Sequence, residues 1–120
     1  MEEGGYLLGV DAGTSQLKCI LYDFKGKQIC SETKENLIIQ NNKNFTEQSM
    51  EGLWNNLGET IKNLLVKNNI DSSQIEGLGI TGQGEGCWLI DSKGEPTGNS
   101  ILWSDGRAKE IVERIKEEKE

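Results

Sequence analysis

Two stretches of this 120-residue chain combine residue types that could do chemistry. The first is Asp11-Ala12-Gly13-Thr14-Ser15, where an apolar run from Tyr6 to Val10 ends abruptly in a carboxylate, two small residues and two hydroxyls. Gly13 lets the backbone turn with positive φ and approach a ligand closely. Thr14 and Ser15 offer hydroxyls and backbone N–H groups, donors suited to phosphate oxygens. Asp11 suits a divalent cation held through water, because Mg2+ keeps most of its own hydration. Lys18 is placed to reach back to the same phosphates as a point charge. A plainer reading is a β-hairpin with an Asp-Ala-Gly-Thr turn, which explains Asp11 and Gly13 as turn residues. The two readings do not exclude each other.

The second stretch is Gln83-Gly84-Glu85. Gly82, Gly84 and Gly86 remove side chains where something else must approach, and Gln83 and Glu85 add an amide and a carboxylate beside them. That pair suits a polyol, since each hydroxyl is both donor and acceptor. Trp103 could lay an apolar face on the carbon skeleton of a sugar. Each residue also has a bland reading: Glu85 as a solvated turn carboxylate, Trp88 and Trp103 as core, Asp105 and Arg107 as a helix cap and ion pair. Gly77-Leu78-Gly79-Ile80-Thr81-Gly82 formally matches G-x-G-x-x-G, but its glycines lie inside a strand and no helix opens on the last of them. A dinucleotide fingerprint is therefore rejected.

These groups need elements to hold them. Tyr6 to Val10 reads as a buried strand, and Gln16 to Asp23 as a second, with Leu17, Cys19 and Leu21 alternating. Phe24-Lys25-Gly26-Lys27 is a turn signal, and Gln28 to Lys34 a third strand with Ile29 its clearest inward residue. Two sequential hairpins imply an antiparallel three-stranded meander. Residues 35–48 are polar, lack a period and read as loop, with Leu37-Ile38-Ile39 a brief edge strand at most. Asn44-Phe45-Thr46 matches the N-glycosylation pattern by chance, no signal peptide being evident in Met1-Glu2-Glu3-Gly4-Gly5.

Ser49 is the expected N-cap of a helix whose Met50, Leu53, Trp54, Leu57, Ile61, Leu64 and Leu65 form one buried stripe, with Trp54 in the core and Asn68-Asn69 as the stop. Strands follow at Gly77–Thr81 and at Cys87 to Ile90, then a turn at Asp91–Pro96 and an extended segment at Ser100 to Trp103. A second helix, capped by Asp105 or Ser104, carries Ala108, Ile111, Val112 and Ile115 on one face. It runs into Lys116-Glu117-Glu118-Lys119-Glu120 with no stop signal, which reads either as a frayed, solvated helix end or, the preferred reading, as a chain cut inside a longer protein. A helix between a meander and a new strand indicates α/β layering. Ligands of such sheets bind near the carboxyl ends of strands, so both polar stretches could line one cleft.

Composition narrows the partners. The formal net charge is −7 with no basic cluster, which argues against nucleic acid or an anionic membrane. No apolar run is long enough to span a bilayer, and a cytoplasmic location is the default. Cys19, Cys30 and Cys87 are widely spaced and read as reduced thiols in strands. With no histidine in the chain, His-based triads and metal sites are excluded.

Four blocks in series carry a resemblance that covers nearly the whole chain. Asp11 to Lys18 resembles the first phosphate motif of the FGGY carbohydrate kinases. Phe45-Thr46-Glu47-Gln48, before a helix bearing Trp54, is similar to their W-x-E-Q segment. Ile80-Thr81-Gly82-Gln83-Gly84-Glu85-Gly86 and Asn99-Ser100-Ile101-Leu102-Trp103-Ser104-Asp105-Gly106-Arg107 match two further blocks in order and spacing. The resemblance implies a ribonuclease-H-like α/β fold of the actin, hexokinase and sugar kinase superfamily, residues 1–120 being the N-terminal portion of domain I. It implies ATP and Mg2+ as cofactors, Asp11 at the metal, and Gly13, Thr14, Ser15 and Lys18 at the transferred phosphate. Gln83, Gly84, Glu85, Trp103 and Asp105 fall among the substrate contacts. Xylulokinases carry Gln-Met-His where this chain has Gln83, Gly84 and Glu85, and glycerol kinases carry Gln-Arg-Glu. Gly84 departs from both, and the Gly-Glu-Gly is more like erythritol kinases and L-xylulokinases.

The implied function is phosphorylation of a sugar or polyol by the full-length protein, with the aspartate base beyond residue 120 and no catalytic base in this chain. Its rivals are a non-catalytic sugar- or nucleotide-binding module on the same fold, and another actin-like phosphotransferase or ATPase. The expected partner is a small sugar or polyol, not nucleic acid or membrane. Of this stretch alone, self-association into a homo-oligomer or marginal stability is also expected, from a core left partly uncovered.

Overall fold

The computed structural model describes residues 4–41 and 43–118. The Met1-Glu2-Glu3 start and the final Lys119-Glu120 of the C-terminal run lie outside the described residues. In chain order the elements are β1 (Tyr6–Ala12), β2 (Gln16–Tyr22), β3 (Gln28–Glu35), β4 (Ile39–Gln40), β5 (Thr46–Gln48), α1 (Met50–Lys67), a 3-10 turn (Ser72–Gln74), β6 (Ile75–Gly82), β7 (Ser100–Ile101) and α2 (Lys109–Glu117). They fall into two compact units, Met1–Asn36 with Gly52–Gln83 and Leu37–Glu51 with Gly84–Glu120. Among the described residues no helix is long and apolar enough to cross a membrane.

The first unit is a four-stranded sheet in the order β3-β2-β1-β6. The expected meander is present, and β6 joins β1 in parallel. Alternation decides the faces. Leu8, Val10, Leu17, Cys19 and Leu21 point to one side and are buried there with Leu64, while Leu57 and Ile61 of α1 pack against them. Lys34–Glu59 and Lys67–Glu32 ion pairs link β3 to the same helix. Burial pushes the Cys19 thiol up to about 11. α1 ends as the asparagines predict: Asn69 is left-handed at φ 52°, and the Asn69 and Ile70 N–H groups donate to the Val66 and Leu65 carbonyls.

Two expectations change in this unit, and an edge strand is left uncovered. Ile29 does not point inward: Leu21 pairs with Cys30 and Tyr22 with Gln28, so a bulge leaves Ile29 unpaired and 43% exposed, and Cys30 faces the core instead. Trp54 is not core. It is 72% exposed, because the helix residues that join the core begin at Leu57. Leu78 and Ile80 stand in register with Leu8 and Val10, on the core-side face, yet are 53% and 62% exposed on an edge strand.

The second unit holds a small antiparallel sheet in the order β4-β5-β7. β5 lies within the stretch read as loop. Thr46 and Gln48 are buried polar residues, so no apolar alternation marks this strand. Of the Leu37-Ile38-Ile39 run only Ile39 enters β4. Cys87 to Ile90 is not a regular strand: only isolated bridges form, Cys87 with Ile101 and Ile90 with Pro96, which brings no N–H. The turn at Asp91–Pro96 forms as expected, with Asp91 Oδ1 accepting the Lys93 and Glu95 N–H groups at 2.8 and 3.0 Å. Neither Asp105 nor Ser104 caps α2, which starts after Ala108 without a side-chain cap.

Candidate active site

In the first unit the phosphate-type residues converge on one end of the sheet. Asp11 lies next to the last residue of β1, on the exposed face opposite Leu8 and Val10. Lys18 of β2 and Thr81 of β6 are its register partners, so an ammonium, a carboxylate and a hydroxyl form one row across three strands. The expected hairpin forms, since residues 13–15 connect β1 to β2. Gly13 does not take the positive φ expected of it, which among the described glycines only Gly26 and Gly94 adopt; space is what requires a glycine there, since a Cβ would lie 2.9 Å from the Gln16 carbonyl oxygen, a backbone atom that cannot swing aside.

Gln83 enters the same place from the end of β6. Its N–H donates to the Ala12 carbonyl at 3.2 Å, and its Oε1 accepts the Thr14 hydroxyl at 3.0 Å. The residue expected to face the polyol is therefore bonded to the β1–β2 connection. Asn36, not anticipated, joins the loop from the other side: its N–H donates to the Ser15 carbonyl at 2.8 Å and its Nδ2 to the Gly13 carbonyl at 3.0 Å.

In the second unit Glu85 is exposed between Gly84 and Gly86, with a left-handed backbone at φ 62°. That conformation costs a non-glycine residue about 1–2 kcal/mol. Gly86 is fixed by contact, since a Cβ would come within 2.5 Å of Trp88 Nε1. Trp103 is 58% exposed, which sets aside its reading as core.

Asp105 has a different role from the one expected. Its Oδ1 accepts the Arg107 N–H (2.9 Å) and Nε–H (2.8 Å), and its Oδ2 accepts the Thr46 N–H (2.6 Å) and Arg107 Nη2 (2.8 Å). A carboxylate has about four acceptor sites, and all are taken. The side chain is only 4% exposed, so Asp105 positions the 103–107 turn rather than meeting a polyol. Hydrogen bonding to Arg107 holds its carboxyl well below the usual carboxylate range, and the Arg107 guanidinium is raised in turn, chiefly by Asp105 and then by Glu47. Arg107 Nη2 also reaches Glu47 Oε1 at 2.8 Å, and its guanidinium lies 4.0 Å over the Phe45 ring. Two of the sequence blocks thus meet through one arginine, an association that spacing could not reveal. The ion pair expected of Asp105 and Arg107 is present.

Among the described residues no group of three or more His, Cys, Asp or Glu could hold a metal ion. A single exposed carboxylate beside a donor-rich loop does fit Mg2+, which takes one or two protein carboxylates and fills its remaining positions with water and phosphate oxygens.

The family described as the FGGY family of carbohydrate kinases, N-terminal domain, matches residues 6–120. An erythritol kinase from Brucella abortus is 32% identical over 95% of this chain and 22% of its own length. An L-xylulose/3-keto-L-gulonate kinase from Escherichia coli is 38% identical over 94% of this chain and 23% of its own. The ligand-bound xylulose kinase from Lactobacillus acidophilus superposes with a TM-score of 0.82 at 30% identity, over 94% of this chain and 22% of that one. The chain thus spans less than a quarter of these relatives, and the fold is that of the actin- and hexokinase-like sugar kinases. By the family match and by identity to its members, the chain belongs to the FGGY family of carbohydrate kinases, within the N-terminal domain.

Proposed function

We propose that this chain, within a full-length protein, supplies the phosphate loop and part of the sugar site of an ATP-dependent kinase that phosphorylates a hydroxyl of a sugar or polyol. The observation that carries this is the Thr14–Gln83 hydrogen bond, at 3.0 Å. It joins a residue of the phosphate block to a residue of the substrate block at the carboxyl ends of two parallel strands, where ligands of such sheets bind. Asp11 would hold Mg2+, which when bound neutralises charge on the transferring phosphoryl group. The 13–15 loop cradles the phosphate oxygens, and Lys18 adds a positive charge beside them. Glu85 accepts a polyol hydroxyl, and Trp103 covers the carbon skeleton. The open Gly84 favours a pentulose or tetritol, in keeping with the erythritol and L-xylulose kinases among the relatives. The reaction belongs in the cytoplasm, where ATP is available.

The test is polyol-dependent ADP formation by the full-length protein with Mg-ATP and erythritol, L-xylulose, D-xylulose or glycerol. A product phosphate ester on at least one of them is expected. Polyol binding without turnover would make the chain part of a binding module, and ADP release indifferent to every polyol would make it part of an ATPase.

We also propose that the 120-residue chain alone self-associates into a homo-oligomer, through the open β6 edge and the uncovered Leu78 and Ile80. Light scattering should show mass rising with concentration, and Ile80→Lys should reduce it. A cooperative, high-melting monomer at high concentration would count against this.

A further inference from the structure

We infer that Asn36, braced by Asn56 of α1, is a positioning residue that sets the shape of the phosphate loop. The inference rests on the phosphate-loop reading of residues 11–15. Asn36 immediately follows β3 and draws two loop carbonyls to itself, Ser15 through its N–H and Gly13 through its Nδ2. A trans peptide holds its C=O and N–H antiparallel. Turning the Gly13 carbonyl toward Asn36 therefore turns the Thr14 N–H the opposite way. An anion needs that arrangement, with amide hydrogens on its side of the loop and carbonyl oxygens on the other.

The amide of Asn36 is itself oriented. Its Oδ1 accepts from Asn56 Nδ2 at 3.2 Å, and the same Nδ2 lies 3.3 Å from the Glu35 carbonyl oxygen. With its oxygen held by Asn56, the amide presents its nitrogen to Gly13. Asn56 precedes Leu57, which packs against the core, so its position is set by helix packing. A line of contacts runs from the core through α1, Asn56 and Asn36 to the loop, all within the first unit. Aspartate at position 36 would lack the amino donor and set a carboxylate oxygen against the Gly13 carbonyl and close to bound phosphate.

The experiment uses the full-length protein, with steady-state kinetics in ATP and in polyol, Mg-ADP affinity by calorimetry, and melting temperature. For Asn36→Asp the ATP Michaelis constant and the Mg-ADP dissociation constant should both rise about ten-fold or more, while the polyol Michaelis constant stays within about two-fold. Asn56→Ala, which removes the bonds to Asn36 and to the Glu35 carbonyl and suits a helix, should shift the nucleotide constants the same way by about three-fold; it carries the test if the Asn36 variant does not fold. Equal losses for ATP and polyol, or unchanged nucleotide constants in both variants, would overturn the inference while leaving the kinase reading intact. A wild-type protein that neither binds Mg-ADP nor turns over would overturn both.

Discussion

Replacing Asp11 with asparagine in the full-length protein is expected to lower turnover by about 10²- to 10⁴-fold and leave polyol affinity nearly unchanged. Asparagine keeps the size and turn-forming ability of aspartate, so the β1–β2 connection should survive. The side chain is exposed, and substitutions of that kind usually change stability by less than about 0.5 kcal/mol. What is lost is the one negative charge of the loop. A bound divalent ion contributes several kcal/mol of transition-state charge stabilisation, and about 1.4 kcal/mol corresponds to each factor of ten in rate. Charge loss also leaves the neighbouring Lys18 without its carboxylate partner across the ladder. The substitution therefore acts on the nucleotide side alone. The check is a rapid-quench or steady-state turnover number set beside a calorimetric polyol titration. Turnover within about three-fold of wild type would mean that Asp11 is only a turn residue and that the metal is held elsewhere.

What the sequence makes legible depends on whether burial follows a simple period. Leu17, Cys19 and Leu21 alternate, and β2 follows from them with its inner face correct. Gly13 announces a tight turn, and the space around it admits no side chain. The losses occur where another force overrides the pattern. A bulge opposite Tyr22 turns Ile29 outward, and a bulge has no sequence mark of its own. β5 is built from Thr46, Glu47 and Gln48, held by backbone pairing on both sides and by partners such as Ser100, whose hydroxyl donates to the Gln48 carbonyl at 3.0 Å. Its burial is polar, so hydropathy cannot find it. Asp105 has the composition of a helix cap, but the Thr46 N–H and Arg107 compete for its oxygens and win, with four hydrogen bonds. Asn36 stands in an asparagine-rich stretch where nothing distinguishes it. Only the fold brings it to Gly13, 23 residues away in sequence. Residues proposed to meet a ligand are thus visible as types in a motif, whereas those that hold others in place are not.

Glu85 should separate from Asp11 by acting on the polyol, and its backbone offers a second way to test it. Glu85→Gln should raise the Michaelis constant for the accepted polyol about ten- to a hundred-fold, since losing a charge-assisted hydrogen bond costs roughly 1.5–3 kcal/mol. Turnover at saturation should change little, because that contact is made before as well as during phosphoryl transfer. Glutamine keeps the φ of 62° and its strain, so the melting temperature should not move. Glu85→Gly should weaken the polyol at least as much, yet relieve the left-handed strain. The gain in stability should be about 1 kcal/mol or less, since glycine's larger unfolded-state entropy offsets part of it. A left-handed glutamate where glycine would be less strained is the observation that motivates testing its side chain. Steady-state kinetics with several polyols, together with thermal melts of both variants, decide the matter. If both variants keep the wild-type polyol dependence for every accepted substrate, Glu85 is a solvated turn residue and the substrate site must be sought on other side chains.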